Sequence, residues 1–265
     1  MKMVSSAKLR KAQRAIENFY PYEQRMMSIL NHFISGQDES PASVYSQTRP
    51  VSKVALVVFS SNSSLCGSFN SNVQKKVQQL LLQYKDLDKD NVLIFPVGKK
   101  ISKSITKQGY KPQGNFEVMA DKPNYNDAAA LAEQLMDLFK EKSVDKVELV
   151  YHHFKSKASQ VLVNETILPL NIANSGKKEM TPFDAVIEPD AETIMRDLLP
   201  MVVKLRFYTA LLDSNASEHA ARTVAMQTAS DNADELLQEL SLQYNKSRQQ
   251  AITAELLDII GGSFK

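Results

Sequence analysis

Four histidines and one cysteine carry most of the nucleophilic and metal-binding potential of this chain, so a catalytic reading has to begin with them. Cys66 lies in Ser63-Ser64-Leu65-Cys66-Gly67, just after an apolar run, where α/β enzymes place nucleophiles. No histidine and acid stand beside it in sequence to deprotonate it, and the plain reading is a small packed thiol. His152 and His153 are adjacent in a strand-like run, point to opposite faces, and so do not ligate one metal ion together. His219 falls on a helical stretch, where a metal or pH-sensing role competes with that of a polar seam residue. Gly109 to Gly114 (GYKPQG) has the spacing that opens a P-loop, but Asn115 and Phe116 stand where the phosphate-binding lysine and the magnesium-binding hydroxyl are required. No Gly-x-Gly-x-x-Gly follows any strand-like run, so the dinucleotide fingerprint is absent. The cations Lys8, Arg10, Lys11 and Arg14 suit either a nucleic-acid or headgroup stripe or a solvated helix face. The expectation is a chain with no catalytic residue, no cofactor and no bound metal.

Composition narrows the classes further. The chain has 265 residues, 43% hydrophobic and 23% charged, a soluble globular mix with room for a large core. A net charge of only +2 gives no global basic field, so nucleic acid is not an expected partner. One cysteine excludes an internal disulfide and any multi-cysteine metal cluster, which fits a reducing compartment. No apolar run approaches the roughly 20 residues of a membrane-spanning helix. Only 8 glycines favour long uninterrupted helices.

The elements that would position these residues fall into three segments. Residues 1–35 show helical spacing, with Val4, Leu9, Ala12, Ile16, Phe19, Met26, Ile29, Leu30 and Phe33 recurring and Pro21 the one proline. A polar linker, Gly36 to Pro50, follows. Residues 51–172 form an α/β domain: apolar runs Val54 to Phe59, Val92 to Val97 and Val147 to Phe154 read as buried strands, and Val161 to Leu170 as an edge strand that tolerates Pro169. Amphipathic helices are expected at Asn72 to Tyr84 and Asn126 to Lys142, which implies a largely parallel sheet. Asn174 to Thr181 reads as a closing loop. Residues 190–265 are helical, with a four-three seam through Ile194, Leu198, Met201, Leu205, Tyr208 and Leu212 that resumes at Met226, Ala229, Ala233, Leu236 and Leu240.

Between the two halves of that seam, Asn215, His219 and Arg222 replace apolar residues among small neighbours, a sign of register control or of another surface to meet. Pro200 should kink or restart the helix. From Pro200 to Ile260 the helix would run roughly 90 Å, which implies a rod. The terminal segments are opposite in charge: residues 1–35 hold six basic and two acidic side chains, residues 190–265 seven basic and eleven acidic. They are expected to lie side by side, antiparallel, with Ile16 and Phe19 in the contact.

Four stretches carry a resemblance: MKMVSSAKLRKAQ (Met1 to Gln13), SLCGSFNSN (Ser64 to Asn72), SEHAARTVAMQTASDNA (Ser217 to Ala233) and LQYNKSRQQAITAELLDIIGG (Leu242 to Gly262). Together they resemble, in order and over nearly the whole chain, the gamma subunits of F-type ATP synthases, the central rotor shafts. The resemblance implies α/β with long helices: an antiparallel coiled coil of the terminal helices and an inserted Rossmann-like α/β domain without a nucleotide site. It implies as partners the α and β subunits of the catalytic hexamer, the epsilon subunit and the membrane ring of proton-carrying c subunits. It implies a non-catalytic, peripheral role at the cytoplasmic face of the bacterial inner membrane. It also implies that Arg222, Arg248, Gln249 and Thr253 contact loops of the catalytic β subunits, an arginine fork being suited to exchanging directional partners. Family members carry further helix ahead of the motif at Met1, and a displaced start is expected rather than a shorter shaft. Ser61-Asn62-Ser63-Ser64 stands where many members have Ser-Asp-Arg-Gly, so a role resting on that Asp-Arg pair does not carry over. The thiol-regulated insertion of chloroplast members and a transit peptide are absent from the sequence given. Without the resemblance, the residues leave open a coiled-coil adaptor with a ligand-binding α/β domain, or an enzyme using Cys66.

Overall fold

The computed structural model describes residues 2–35, 44–170 and 190–263, so the expected loop at Asn174 to Thr181 lies outside the described residues. Four strands form one sheet in the order β2-β1-β3-β4: β1 Val54–Phe59, β2 Val92–Val97, β3 Lys146–Phe154 and β4 Gln160–Leu168. β1 pairs in parallel with β2 and β3, while β4 returns antiparallel along β3 and forms an edge, ending before a cis Leu168–Pro169 bond. Every residue of β1 is buried because the strand is central and covered on both faces, the reason its sequence is a continuous apolar run.

Alternation along the strands sends side chains to two different cores. On one face Val54, Leu56, Val58, Ile94 and Val150 pack against Val73, Val77 and Leu80 of α2 (Phe69–Gln83) and Ile101 and Ile105 of α3 (Lys99–Lys107). On the other, Ala55, Val57, Phe59, Phe95 and Leu149 meet α5 (Tyr125–Lys140), through Leu131, Leu135 and Phe139, and the last helix. A short helix α4 (Glu117–Asp121) supplies Met119 and Ala120 to the same core. Periodicity did not reveal α3 or α4: α3 has only two apolar residues, four apart, and α4 is a little over one turn.

The two terminal helices are α1 (Lys2–Ser35) and α6 (Ala191–Ser263), the latter a single run of 73 residues. They pack together with chain directions opposed: Phe19 meets Tyr208 edge to face at 4.9 Å, Glu23 lies near Arg206, and Lys8 near Glu218 and His219. Ile16 is half-buried. No direct ion pair joins α1 to α6 among the described residues, so apolar packing rather than the opposed charges holds them.

Pro200 does not restart α6, which was one of the two outcomes expected of it. A proline inside a helix costs about 3 kcal/mol, and its neighbours Leu199, Val202 and Val203 are each fully buried, worth about 1.5–3 kcal/mol apiece. A second correction concerns the seam. α6 buries Met195, Leu199, Val203, Phe207 and Leu211 against the sheet and α5, while Met201, an expected seam residue, is exposed. The helix is buried on two faces over its first half, between α1 and the sheet, and a single four-three pattern captured one of them.

Candidate functional site

The polar interruption in α6 lies against the chain's own α/β layer. Every residue from 211 to 220 is buried, and Ala216 and Ala220, with no exposed surface, let the helix backbone come close to the sheet. Three of the polar side chains in this stretch find partners across the joint, while His219 Nδ1 is buried without a hydrogen-bond partner. Asp213 Oδ2 lies 2.6 Å from His153 Nδ1 on β3, Asn215 Nδ2 donates to the Ala120 carbonyl at 2.9 Å, and Ser217 Oγ donates to the His152 carbonyl at 3.0 Å. One turn on, Arg222 donates to Glu218 at 2.7 Å and also to the Ser64 carbonyl in the loop after β1. Buried polar groups are tolerated where they are hydrogen-bonded, and their directionality fixes helix register in a way that apolar contacts do not.

The loop that Arg222 holds is itself tightly built. Asn70 accepts from the Ser61 amide at 3.1 Å and donates to Cys66 Sγ at 3.0 Å, and Cys66 is 1% exposed. Asn62 Oδ1, the Ser61 carbonyl and Ser60 Oγ accept from the amides of Lys99, Lys100 and Ile101. The first-turn amides of α3, which an anion-binding helix would leave free, are bonded within the chain. The segment from Gly109 to Gly114 turns out of α3, with Gly109 N bonded to the Thr106 carbonyl, and then runs beside β2, where Pro112 bridges Ile94 and Gln113 N donates to the Ile94 carbonyl.

Burial sets the electrostatics of the joint. His152, stacked on Phe69 at 4.3 Å, and His219 are each pushed down to about 4 by burial, with Lys8 and Arg222 adding to the effect at His219. Asp213 and Glu218 are raised by burial, partly offset by His153 and Arg222 respectively. Burial and the nearby Asp213 push Tyr151 up to about 12. Two further ion pairs, Lys204–Glu133 and Arg206–Glu165, bind α6 to α5 and β4.

Beyond the joint, the side-chain bonds of α6 from residue 228 to residue 259 stay within the helix among the described residues. Residues 228–260 are all exposed, roughly 50 Å of helix, and the exposed side chains include Leu236, Leu240, Tyr244, Ile252, Leu256 and Ile260. Arg248, Gln249 and Thr253 lie on this bare stretch, far along the helix from the half-buried Arg222, and Thr253 Oγ1 donates to the Gln249 carbonyl at 2.8 Å. Lys8, Arg10, Lys11 and Arg14 are exposed on α1. The candidate residues therefore divide between the joint, the bare rod and the outer face of α1. Asn215 was marked by sequence as a polar break that meets another surface, whereas Asp213 and Glu218 were not singled out and His153 was read only as a strand residue. The i,i+4 spacing of Glu218 and Arg222 was a usable signal, but nothing in sequence pointed His153 at a helix 60 residues away.

Among the described residues no group of three or more His, Cys, Asp or Glu is arranged to hold a metal ion, and no helix is long and apolar enough to cross a membrane. The family described as ATP synthase matches residues 1–264. The ATP synthase gamma chain of Bacteroides fragilis is 55% identical over 99% of this chain and 91% of its own length, and that of Bacteroides thetaiotaomicron 49% identical over 100% and 92%. Among solved structures, the chain is similar to one from the central stalk and c-ring of the Tetrahymena thermophila mitochondrial ATP synthase, with a TM-score of 0.61 and 25% identity over 87% of this chain and 97% of that one. A chain of the Euglena gracilis mitochondrial ATP synthase, 22% identical with a TM-score of 0.57 over 97% and 93%, shares the fold. A bare helical rod fixed to an α/β layer by a buried polar joint, together with this similarity along the whole chain, shows that the chain belongs to the ATP synthase gamma-chain family, the central-stalk subunits of F-type ATP synthases.

Proposed function

We propose that this chain is the non-catalytic rotor shaft that carries rotation between a membrane ring of proton-carrying c subunits and a catalytic hexamer of α and β subunits, with an epsilon subunit beside its α/β domain. The observation that carries the reading is the exposed half of α6, where large apolar residues and Arg248, Gln249 and Thr253 stand without cover from the described chain. An isolated helix gains nothing from leaving such side chains in water, so a surrounding sleeve of partner subunits accounts for them. The two terminal helices act as an antiparallel coiled coil, residues 1–35 and 190–265, and residues 51–172 act as the domain inserted between them. The complex sits at the cytoplasmic face of the bacterial inner membrane, and this chain is peripheral to the bilayer.

Torque requires that the shaft resist twisting relative to the α/β domain, and the Asp213, Asn215, Ser217 and Arg222 contacts supply directional bonds at that joint. It also requires contacts with the hexamer whose free energy differs among catalytic states. Arg222, Arg248, Gln249 and Thr253 are the residues assigned to those contacts. Arg222 shares its guanidinium between Glu218, Ser64 and the outer partner, which its five donors permit.

Reconstitution tests the reading. The chain should copurify with α and β subunits. In membrane vesicles, Arg248→Ala or Gln249→Ala should lower ATP synthesis without unfolding the chain, because truncating one partner of a desolvated charged contact costs about 2–5 kcal/mol. Full assembly with unchanged synthesis in both variants removes these residues from the torque path, and failure to copurify with α and β removes the rotor reading.

A further inference from the structure

Helices α2 and α3 make up the layer on the sheet face opposite α5 and α6. Neither contains an aspartate or a glutamate, and together they carry Lys75, Lys76, Lys99, Lys100, Lys103 and Lys107. Lys99, Lys103 and Lys107 recur every fourth residue, two positions away from the buried Ile101 and Ile105, and so form one stripe along the outer side of α3. All three are exposed, and none of the six lysines pairs with a carboxylate among the described residues. This arrangement works against the helix that bears it. Like charges at i,i+4 repel, and Lys99 and Lys100 set cations at the helix N-terminus, where the macrodipole favours anions.

We propose that the α2–α3 face is a docking surface for anionic phospholipid headgroups. The composition separates a lipid surface from a protein partner: protein interfaces are depleted of lysine and enriched in arginine and aromatic residues, whereas neither helix exposes an arginine or an aromatic side chain. Flexible, strongly hydrated ammonium groups suit a fluid array of phosphates that need not be met in fixed geometry. Such a contact also tolerates sliding, since no single bond sets its register. The inference rests on the rotor reading proposed above, in which the chain reaches from the catalytic hexamer to the membrane ring, and it assigns the α2–α3 side of the chain a direct electrostatic contact with the bilayer.

Sedimentation of the full chain with vesicles tests it. Binding is expected to mixed phosphatidylglycerol–phosphatidylethanolamine vesicles at low salt, not to phosphatidylcholine vesicles, and is expected to disappear at about 0.5 M salt. Exchanging Lys99, Lys100, Lys103 and Lys107 together for glutamine should weaken binding about tenfold or more, with the helix content unchanged by circular dichroism. Exchanging the same four for arginine should preserve it. The proposal is overturned by failure to bind anionic vesicles, by binding that survives the glutamine variant, or by equal loss when Lys8, Arg10 and Lys11 are exchanged for glutamine instead. Copurification with α and β subunits reads the rotor assignment separately, so either result can fail without the other.

Discussion

A methyl group at Gly98 would lie 2.3 Å from the Ser60 carbonyl oxygen, and the backbone there has a φ of +113°. Both facts require glycine, because the obstructing atom is backbone and the conformation is one that L side chains rarely adopt. Gly98→Ala should therefore destabilise the chain by about 2 kcal/mol or more and lower the thermal midpoint, as measured by calorimetry. The buried histidines give a second outcome at this scale. His152 and His219 are depressed to about 4 from an ordinary value near 6.5, so the stability they contribute is full above about 6.5 and is lost as the pH falls through about 4. Asp213 and Glu218 act in the opposite sense: with raised values, their contribution is present in acid and is lost as the pH rises through those values. The net expectation is a denaturation midpoint that falls between pH 6.5 and 4 in the parent chain and falls less in a His152→Asn, His219→Asn double variant. An unchanged slope in that variant would show that other groups carry the acid sensitivity. Of these residues, the sequence displayed His219 as a polar intruder on a seam, but not its burial.

Among the elements, α6 depends on small residues where it crosses the sheet. Ala220 has no exposed surface, and a larger side chain there must push the helix off the sheet or strain its own rotamer, at about 1–3 kcal/mol. Ala220→Leu should lower the denaturant midpoint by a corresponding amount, whereas Ala229→Leu, on the exposed half, should change it by less than about 0.5 kcal/mol. The strands β1 and β2 were readable because a strand covered on both faces is apolar at every position, and both begin and end where the apolar runs do. Helix α3 was not, since its pattern is dominated by lysines and the two isoleucines that bury it are too few to show a period.

At the scale of the whole molecule, burial falls off sharply along α6. Residues 211–220 are enclosed, and residues 228–259 are all exposed. Hydrogen exchange on the isolated chain should show strong protection through the first stretch and fast exchange through the second, because an uncovered helix opens locally at little cost. Addition of the α and β subunits should slow exchange across residues 228–260. Protection there in a proven monomer would mean that the chain covers this surface itself.

The sequence by itself determined the limits of β1 and β2, the helical character of the two terminal segments and the family, since each rests on local periodicity or on ordered motifs. It also displayed the polar break at Asn215, His219 and Arg222. What that break meets was decided only by tertiary structure. The helix positions that form the joint lie far apart in sequence from the strand and loop they grip, as His153 with Asp213 and Ser64 with Arg222 show, and one-dimensional spacing carries no information about which of several polar residues will converge. The same holds for the second buried face of α6 and for the continuity of α6 through Pro200, both of which follow from packing against a sheet that closes only when β1, β2 and β3 come together from distant parts of the chain.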